Sequence, residues 1–189
     1  MAMRQGIYHT YQDWLDANHD EHARVELIDG VIYLFAAPAR RHQAIVGEML
    51  VQLANHLRGK SCKVYTGPIA VRLEKDSVVE PDIIVVCDPK KLTKSGMEGT
   101  PDLIIEVLTP SNARHDKITK LNLYQRTGVA EYWIVDPSDN TLTTYNLVEG
   151  RYVVSAYDNT GIATVNALPG FEMDLSAVLT DEDEAADEN

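Results

Sequence analysis

Apolar residues recur along this chain with two different periods, and the switches between them mark its elements. Over residues 41–58, Ile45, Val46, Met49, Leu50, Leu53, Ala54 and Leu57 form one stripe at helical spacing, with Gly59 where a helix-ending glycine belongs. A shorter helix is predicted in TYQDWLDANHD, where Thr10 can cap and Tyr11, Trp14 and Leu15 recur at helical spacing. RVELIDGVIYLFA reads as a hairpin, because two β-rich runs flank Asp29-Gly30, a dipeptide suited to the positive φ values of a tight type I′ turn. CKVYT and Ile69 to Leu73 follow as strands. DIIVVC (82–87) and DLIIEVL (102–108) are nearly continuous in Ile, Val and Leu, as expected of central strands covered on both faces. Between them runs a polar loop with Lys94, Gly96 and Gly99. Residues 114–127 predict a second helix, with Ile118, Leu121 and Leu123 among its apolar positions and Gly128 as terminator. EYWIVD is another apolar strand, and TLTTYNL and RYVVSAY pair around Glu149-Gly150. The expected class is α/β, a mixed central sheet flanked by helices with added β-hairpins, forming one domain over residues 1–180.

Composition narrows the function more than the fold. The chain has 189 residues, 44% hydrophobic and 24% charged, an ordinary globular balance that excludes collagen-like and disulfide-scaffold classes. No apolar run approaches the ~20 residues that cross a bilayer, so the expectation is a cytoplasmic protein with no membrane partner. Cys62 and Cys87 stand far apart with no partner at a metal spacing, and both are expected to be buried apolar thiols. The net charge of −12 disfavours nucleic acid at first sight. Half of it lies in the tail, on Asp181, Glu182, Asp183, Glu184, Asp187 and Glu188, and residues 181–189 read as a disordered acidic end. Between Pro89 and Arg126 the balance reverses, with Lys90, Lys91, Lys94, Arg114, Lys117, Lys120 and Arg126 against Glu98, Asp102, Glu106 and Asp116. That excess is either a solvated loop and helix surface or a side that faces phosphate.

The chemical anomaly is Glu106. A carboxylate inside Leu-Ile-Ile-Glu-Val-Leu must be desolvated, and an unpaired buried charge costs several kcal/mol. Strand alternation puts Asp102, Ile104, Glu106 and Leu108 on one face. Asp82 opens the other apolar strand, so both carboxylates converge if the strands are neighbours. Convergent carboxylates share a proton, bind a cation or meet a lysine. The lysine is on the second helix, where Asp116, Lys120 and Tyr124 fall at i, i+4 and i+8 on one face. Mg²⁺ suits such a site, since it keeps several waters and needs one or two protein carboxylates. The chemistry indicated is phosphodiester hydrolysis. A buried Glu106–Lys120 pair serving only mutual neutralisation is the plain alternative. Asp102, in a second Pro-Asp pair, competes with Asp82. His42 opens the long helix either as a surface histidine or as a group facing substrate, and Tyr124 is either a packing aromatic or a substrate contact. No HExxH, Walker loop, GxGxxG or GxSxG element is present.

The blocks RVELIDGVIY, EPDIIVVCD and GTPDLIIEVLTPSNARHDKITKLNLYQRTGVAEYWIVDP, with the closing hairpin, resemble the Uma-two family of restriction endonucleases within the PD-(D/E)xK nuclease superfamily. The resemblance runs from about Tyr11 to Leu147. It implies a restriction-endonuclease-like core and a metal-dependent endonuclease acting on DNA, with Mg²⁺ or Mn²⁺ as cofactor. RNA stays open as a substrate, and a homodimer is implied. By the same resemblance Asp82 and Glu106 are metal ligands, Glu26 completes the acidic cluster as a further ligand or its orienter, and Lys120 is catalytic; Asp116 and Tyr124, and by its position His42, are candidate substrate contacts. One position departs from the superfamily pattern: Leu108 stands two residues after Glu106, where a lysine is expected, so Lys120 would have to serve instead. A nuclease fold that binds or assembles without catalysis is the alternative.

Overall fold

The computed structural model describes residues 7–17, 24–110 and 112–180, so the acidic end at 181–189 lies outside the described residues. Helix α1 (Tyr11–Ala17) begins at a reciprocal cap in which the Asp13 amide donates to Thr10 Oγ1 and the Thr10 amide to Asp13 Oδ2. Strands β1 (Arg24–Ile28) and β2 (Val31–Phe35) pair antiparallel around Asp29 and Gly30, whose φ values of 51° and 74° are those of a type I′ turn. Gly30 is needed there twice over, since a Cβ would also lie 2.3 Å from the Tyr8 ring. Helix α2 (Arg40–Leu57) buries Ile45, Val46, Met49, Leu53 and Leu57, five positions of the stripe read from the sequence, while Leu50 is half-buried and Ala54 exposed at its edge.

The first eleven strands form two sheets. In chain order the remainder are β3 (Lys63–Thr66), β4 (Ala70–Glu74), β5 (Ser77–Val79), β6 (Ile83–Val86), β7 (Gly96–Glu98), β8 (Leu103–Val107), β9 (Glu131–Asp136), β10 (Thr141–Val148) and β11 (Arg151–Tyr157). One mixed sheet runs β11-β10-β9-β8-β6-β3, and a smaller one runs β2-β1-β5-β4-β7. In the larger sheet β8 and β9 are parallel, a pairing that needs a crossover, here made by helix α3 (Leu121–Thr127) and the turns before it. Alternation along β6 and β8 splits the core. Ile83, Val85, Leu103, Ile105 and Val107 face α2, while Ile84, Val86 and Ile104 face α3 and the smaller sheet. Both faces are therefore covered, as the unbroken apolar runs require. A short hairpin, β12 (Ile162–Thr164) with β13 (Glu172–Asp174), and helix α4 (Leu175–Val178) complete the α2 side.

Several local expectations change. The loop after β6 contains β7, which joins β4 in parallel and so ties the loop to the smaller sheet. The helix at 114–127 is not uniform, because His115–Lys120 winds with π-type turns before α3. Its buried side carries Asp116 and Lys120, and Ile118, two residues from each, is 51% exposed. Pairing of Lys120 thus sets the rotation of this segment ahead of Ile118 burial. The cysteines are not free thiols. The pairing of Lys63 with Val86 places Cys62 opposite Cys87, with Cα atoms 3.9 Å apart, and the two form a disulfide. Such bridges are rare in reducing compartments, so a cytoplasmic expectation does not prompt a search for one. The basic excess between Pro89 and Arg126 is not one surface either: Lys120 is buried, Arg126 pairs with Asp29 and Glu74, and Lys117 pairs with Asp136.

Candidate active site

Glu106 and the segment leading into α3 meet where the sequence pattern requires. The Lys120 ammonium lies 2.8 Å from Glu106 Oε1, 2.9 Å from Glu26 Oε1 and 3.3 Å from Asp116 Oδ1. Tyr124, one turn further on, donates to Glu106 Oε1 at 3.0 Å. Both donors thus converge on one oxygen of Glu106. Glu26 arrives from β1, accepts the Glu80 amide at 2.9 Å and lies 3.2 Å from His115 Nε2. Asp116 is fully buried, and neither of its oxygens accepts a hydrogen bond among the described residues, Lys120 being near Oδ1 but poorly directed. These side chains are at most 3% exposed, apart from His115.

Asp82 occupies a second, adjoining cluster. It immediately precedes β6, and because Ile83 pairs with Ile105 it stands at the end of the sheet beside Glu106 and Val107. Its Oδ2 accepts the Val107 amide at 2.9 Å and faces His42 Nε2 at 3.0 Å, while Oδ1 accepts from Arg24 at 3.3 Å. Among the described residues, His42 Nδ1 is buried without a hydrogen-bond partner. Asp82 does not meet Lys120. The two halves are joined through β1, whose alternation puts Arg24 and Glu26 on one face. His42 lines two clefts, one of ≈340 Å³ shared with Arg24 and Asp82 and another of ≈750 Å³ shared with Leu108 and Lys117.

Charge is distributed unevenly over these groups. Burial opposes the Lys120 charge, but Glu106, Glu26 and Asp116 raise its pKa well above that of a free lysine, so it remains an ammonium. Burial likewise opposes ionisation of Glu26, yet Lys120, His115 and the Glu80 amide hold its pKa down to about 2. Asp82 is also lowered against burial, by His42 and then Arg24. Glu106 goes the other way: burial, together with Asp116, Asp82 and Glu26, outweighs Lys120 and pushes its pKa from 4.5 up to about 8. Without a metal, folded Glu106 thus holds its proton more tightly than the unfolded chain does. Its contribution to stability is complete below pH 4.5 and is lost as pH rises toward about 8. In metal-free urea titrations the wild-type midpoint should fall across that window relative to Glu106→Gln. A constant difference between the two would show that no proton is held there.

The donor set is hard oxygen, the kind that Mg²⁺ and Mn²⁺ take. Among the described residues, no group of three or more His, Cys, Asp or Glu is arranged to hold a metal ion. Asp82 and Glu106 stand at the ends of paired strands, each held by its own cation, Arg24 for Asp82 and Lys120 for Glu106, and a pair of carboxylates would suit only an ion that retains most of its water. Asp116 Oδ2, buried and accepting no hydrogen bond among the described residues, adds acceptor capacity nearby.

Of the sequence candidates, Glu26, Glu106, Asp116, Lys120 and Tyr124 come together, and Asp82 and His42 form the neighbouring pair. Asp102 does not join them, because its carboxylate accepts the Cys87 amide at the opposite end of β8. Asp116 and Tyr124 are buried among the other site residues and present no surface to a substrate, while His42 lines the clefts. Leu108 is buried in the apolar layer. Two site residues escaped the sequence reading. Arg24 was detectable, since it lies two residues before Glu26 on the same strand face. His115 carried no such signal, because its partner is 89 residues away.

Comparison with known proteins agrees with this architecture. The family model Uma2, described as "Putative restriction endonuclease", matches residues 8–176. Two Synechocystis proteins are similar. "Uncharacterized protein slr1290" is 25% identical over 138 residues, covering 72% of this chain and 71% of its own. "Uncharacterized protein sll1609" is 24% identical over 146 residues, covering 75% of this chain and 82% of its own. A crystal structure described as "a putative nuclease belonging to DUF820" from Anabaena variabilis superimposes with a TM-score of 0.74 at 18% identity, over 90% of this chain and 97% of that one. That likeness shows the fold.

Proposed function

This chain belongs to the Uma2 family, matched over residues 8–176, and from that premise we propose that it is a metal-dependent endonuclease hydrolysing phosphodiester bonds of DNA. The observation that carries the reading is the Lys120 ammonium 2.8 Å from buried Glu106, supplied by a helix where the strand offers only Leu108. Asp82 and Glu106 would hold Mg²⁺ or Mn²⁺, with Glu26 completing the acidic cluster. Such an ion, when bound, acidifies a coordinated water and neutralises phosphoryl charge.

The chain's own groups do the positioning. Tyr124 and Lys120 fix Glu106 from one side, while Arg24, His42 and the Val107 amide fix Asp82 from the other. Lys120 would supply positive charge toward the attacking water and the phosphate oxygens. Two copies acting together would cut both strands. Supercoiled plasmid incubated with Mn²⁺ or Mg²⁺ should be nicked and linearised, and EDTA should abolish the products. Folded protein that leaves plasmid intact with both ions would refute the reading.

An inactive assembly module of the same fold is the second reading, favoured by three carboxylates already gathered around Lys120. Calorimetry separates the two, because a site closed by its own lysine takes up no Mn²⁺ at millimolar concentration.

A further inference from the structure

Pairing across the β1–β2 hairpin sets Tyr33 opposite Glu26 and Phe35 opposite Arg24. The partner strand thus adds two aromatic rings to the face that carries the site acid. His115 lies against both, with ring centroids 4.3 Å from Tyr33 and 5.2 Å from Phe35. The Lys120 ammonium is 5.6 Å from the Phe35 ring. Tyr33, Phe35 and His115, with Arg114 and Ile118, line an open cleft of ≈640 Å³, within the range of small-ligand sites. Ile118 stays half exposed beside it, and neither Tyr33 nor Phe35 has a part in the proposed hydrolysis.

We propose that this cleft is a nucleobase pocket, which takes an unpaired base beside the scissile phosphate and makes single-stranded or locally unpaired DNA the substrate. The inference rests on the nuclease reading of the adjoining carboxylates and says which form of DNA they meet. Aromatic faces stack on any base, a sequence-tolerant contact used widely for single strands. The charge agrees: exposed Arg114, which pairs with no carboxylate among the described residues, offers a phosphate counter-charge at the rim of an otherwise acidic chain. Continuity agrees as well, because His115 touches both the rings and Glu26, so a base seated here lies next to the reacting groups.

The test is binding, measured with the full chain in EDTA by anisotropy of labelled oligothymidylate, an abasic strand of equal length and a blunt duplex. Oligothymidylate should bind at least about 10-fold tighter than either competitor, and Tyr33→Ala should remove roughly 5- to 100-fold of that affinity. Tyr33→Trp should restore it, with the new indole quenched by the oligonucleotide. The native Trp14 and Trp133 are buried, at 3% and 0% exposure, so the signal is separable. Equal affinity for the abasic strand, or a Tyr33→Ala protein that folds and binds unchanged, would overturn the pocket. So would an Ile118→Ser variant that splits a dimer in sedimentation velocity while binding oligothymidylate normally, since the patch would then join copies of this chain. Protein that nicks plasmid without discriminating abasic strands loses the pocket and keeps the nuclease. Protein that discriminates but never cuts loses the hydrolysis instead.

Discussion

Lys120→Met should cost the fold about 3–5 kcal/mol at pH 8, the usual penalty for stranding a buried charge by removing its partner. The carboxyl groups of Glu26, Glu106 and Asp116 lie within 3.3 Å of the ammonium. Methionine fills the stem's volume, so the loss reads the charge and not a cavity. The stranded acids respond by binding protons, which the unfolded chain does less avidly, so the deficit should shrink as pH falls toward 5 and grow as pH rises. Adding Glu26→Gln should recover part of the loss, because the amide oxygen can still accept the Glu80 amide while one charge is removed. Urea denaturation of the three proteins measures this directly. A Lys120→Met midpoint within ~0.5 kcal/mol of wild type would mean that the carboxylates do not depend on this lysine.

Asp82→Asn is the second large effect, and it should fall on activity. Asparagine can keep its oxygen at the Oδ2 position, where the Val107 amide donates, which turns its NH₂ toward Arg24, itself a donor. That lost pairing should cost about 1–3 kcal/mol of stability, leaving a folded protein to assay. Cleavage should drop by at least ~100-fold, since loss of even an outer-shell partner of a metal costs 10- to 100-fold. The measurement is the initial nicking rate of plasmid in Mn²⁺ at a temperature where both proteins are folded. A rate within a few-fold of wild type would remove Asp82 from the metal site and leave it a strut between Arg24 and His42.

Much of the local architecture was legible in the chain. Asp29-Gly30 and Glu149-Gly150 specify their turns through backbone preference, and both turns take positive φ values. The α2 stripe is read correctly because a sustained helical period has one apolar face. Glu106 stood out because polarity conflicts with its strand, and Asp116, Lys120 and Tyr124 shared a face by spacing alone. The misses have a common form. β5 and β7 are three residues each and exist only because a neighbouring strand pairs with them. The Ile118 side of the 114–127 segment was misassigned because Lys120, a charged residue, dictates which face is buried there.

Sequence alone therefore determined the turns, the helix faces and the demand that Glu106 find a partner, since these follow from backbone preferences and from the cost of burying charge within a short window. Only the tertiary structure decided who answers that demand. His42 meets Asp82 across 40 residues and Glu26 meets His115 across 89. Cys62 meets Cys87 through the register of two strands. The aromatic rings reach the acids only because β2 folds back on β1. Such encounters depend on how strands are ordered and helices rotated when the whole apolar surface is buried at once, and no local period encodes that choice.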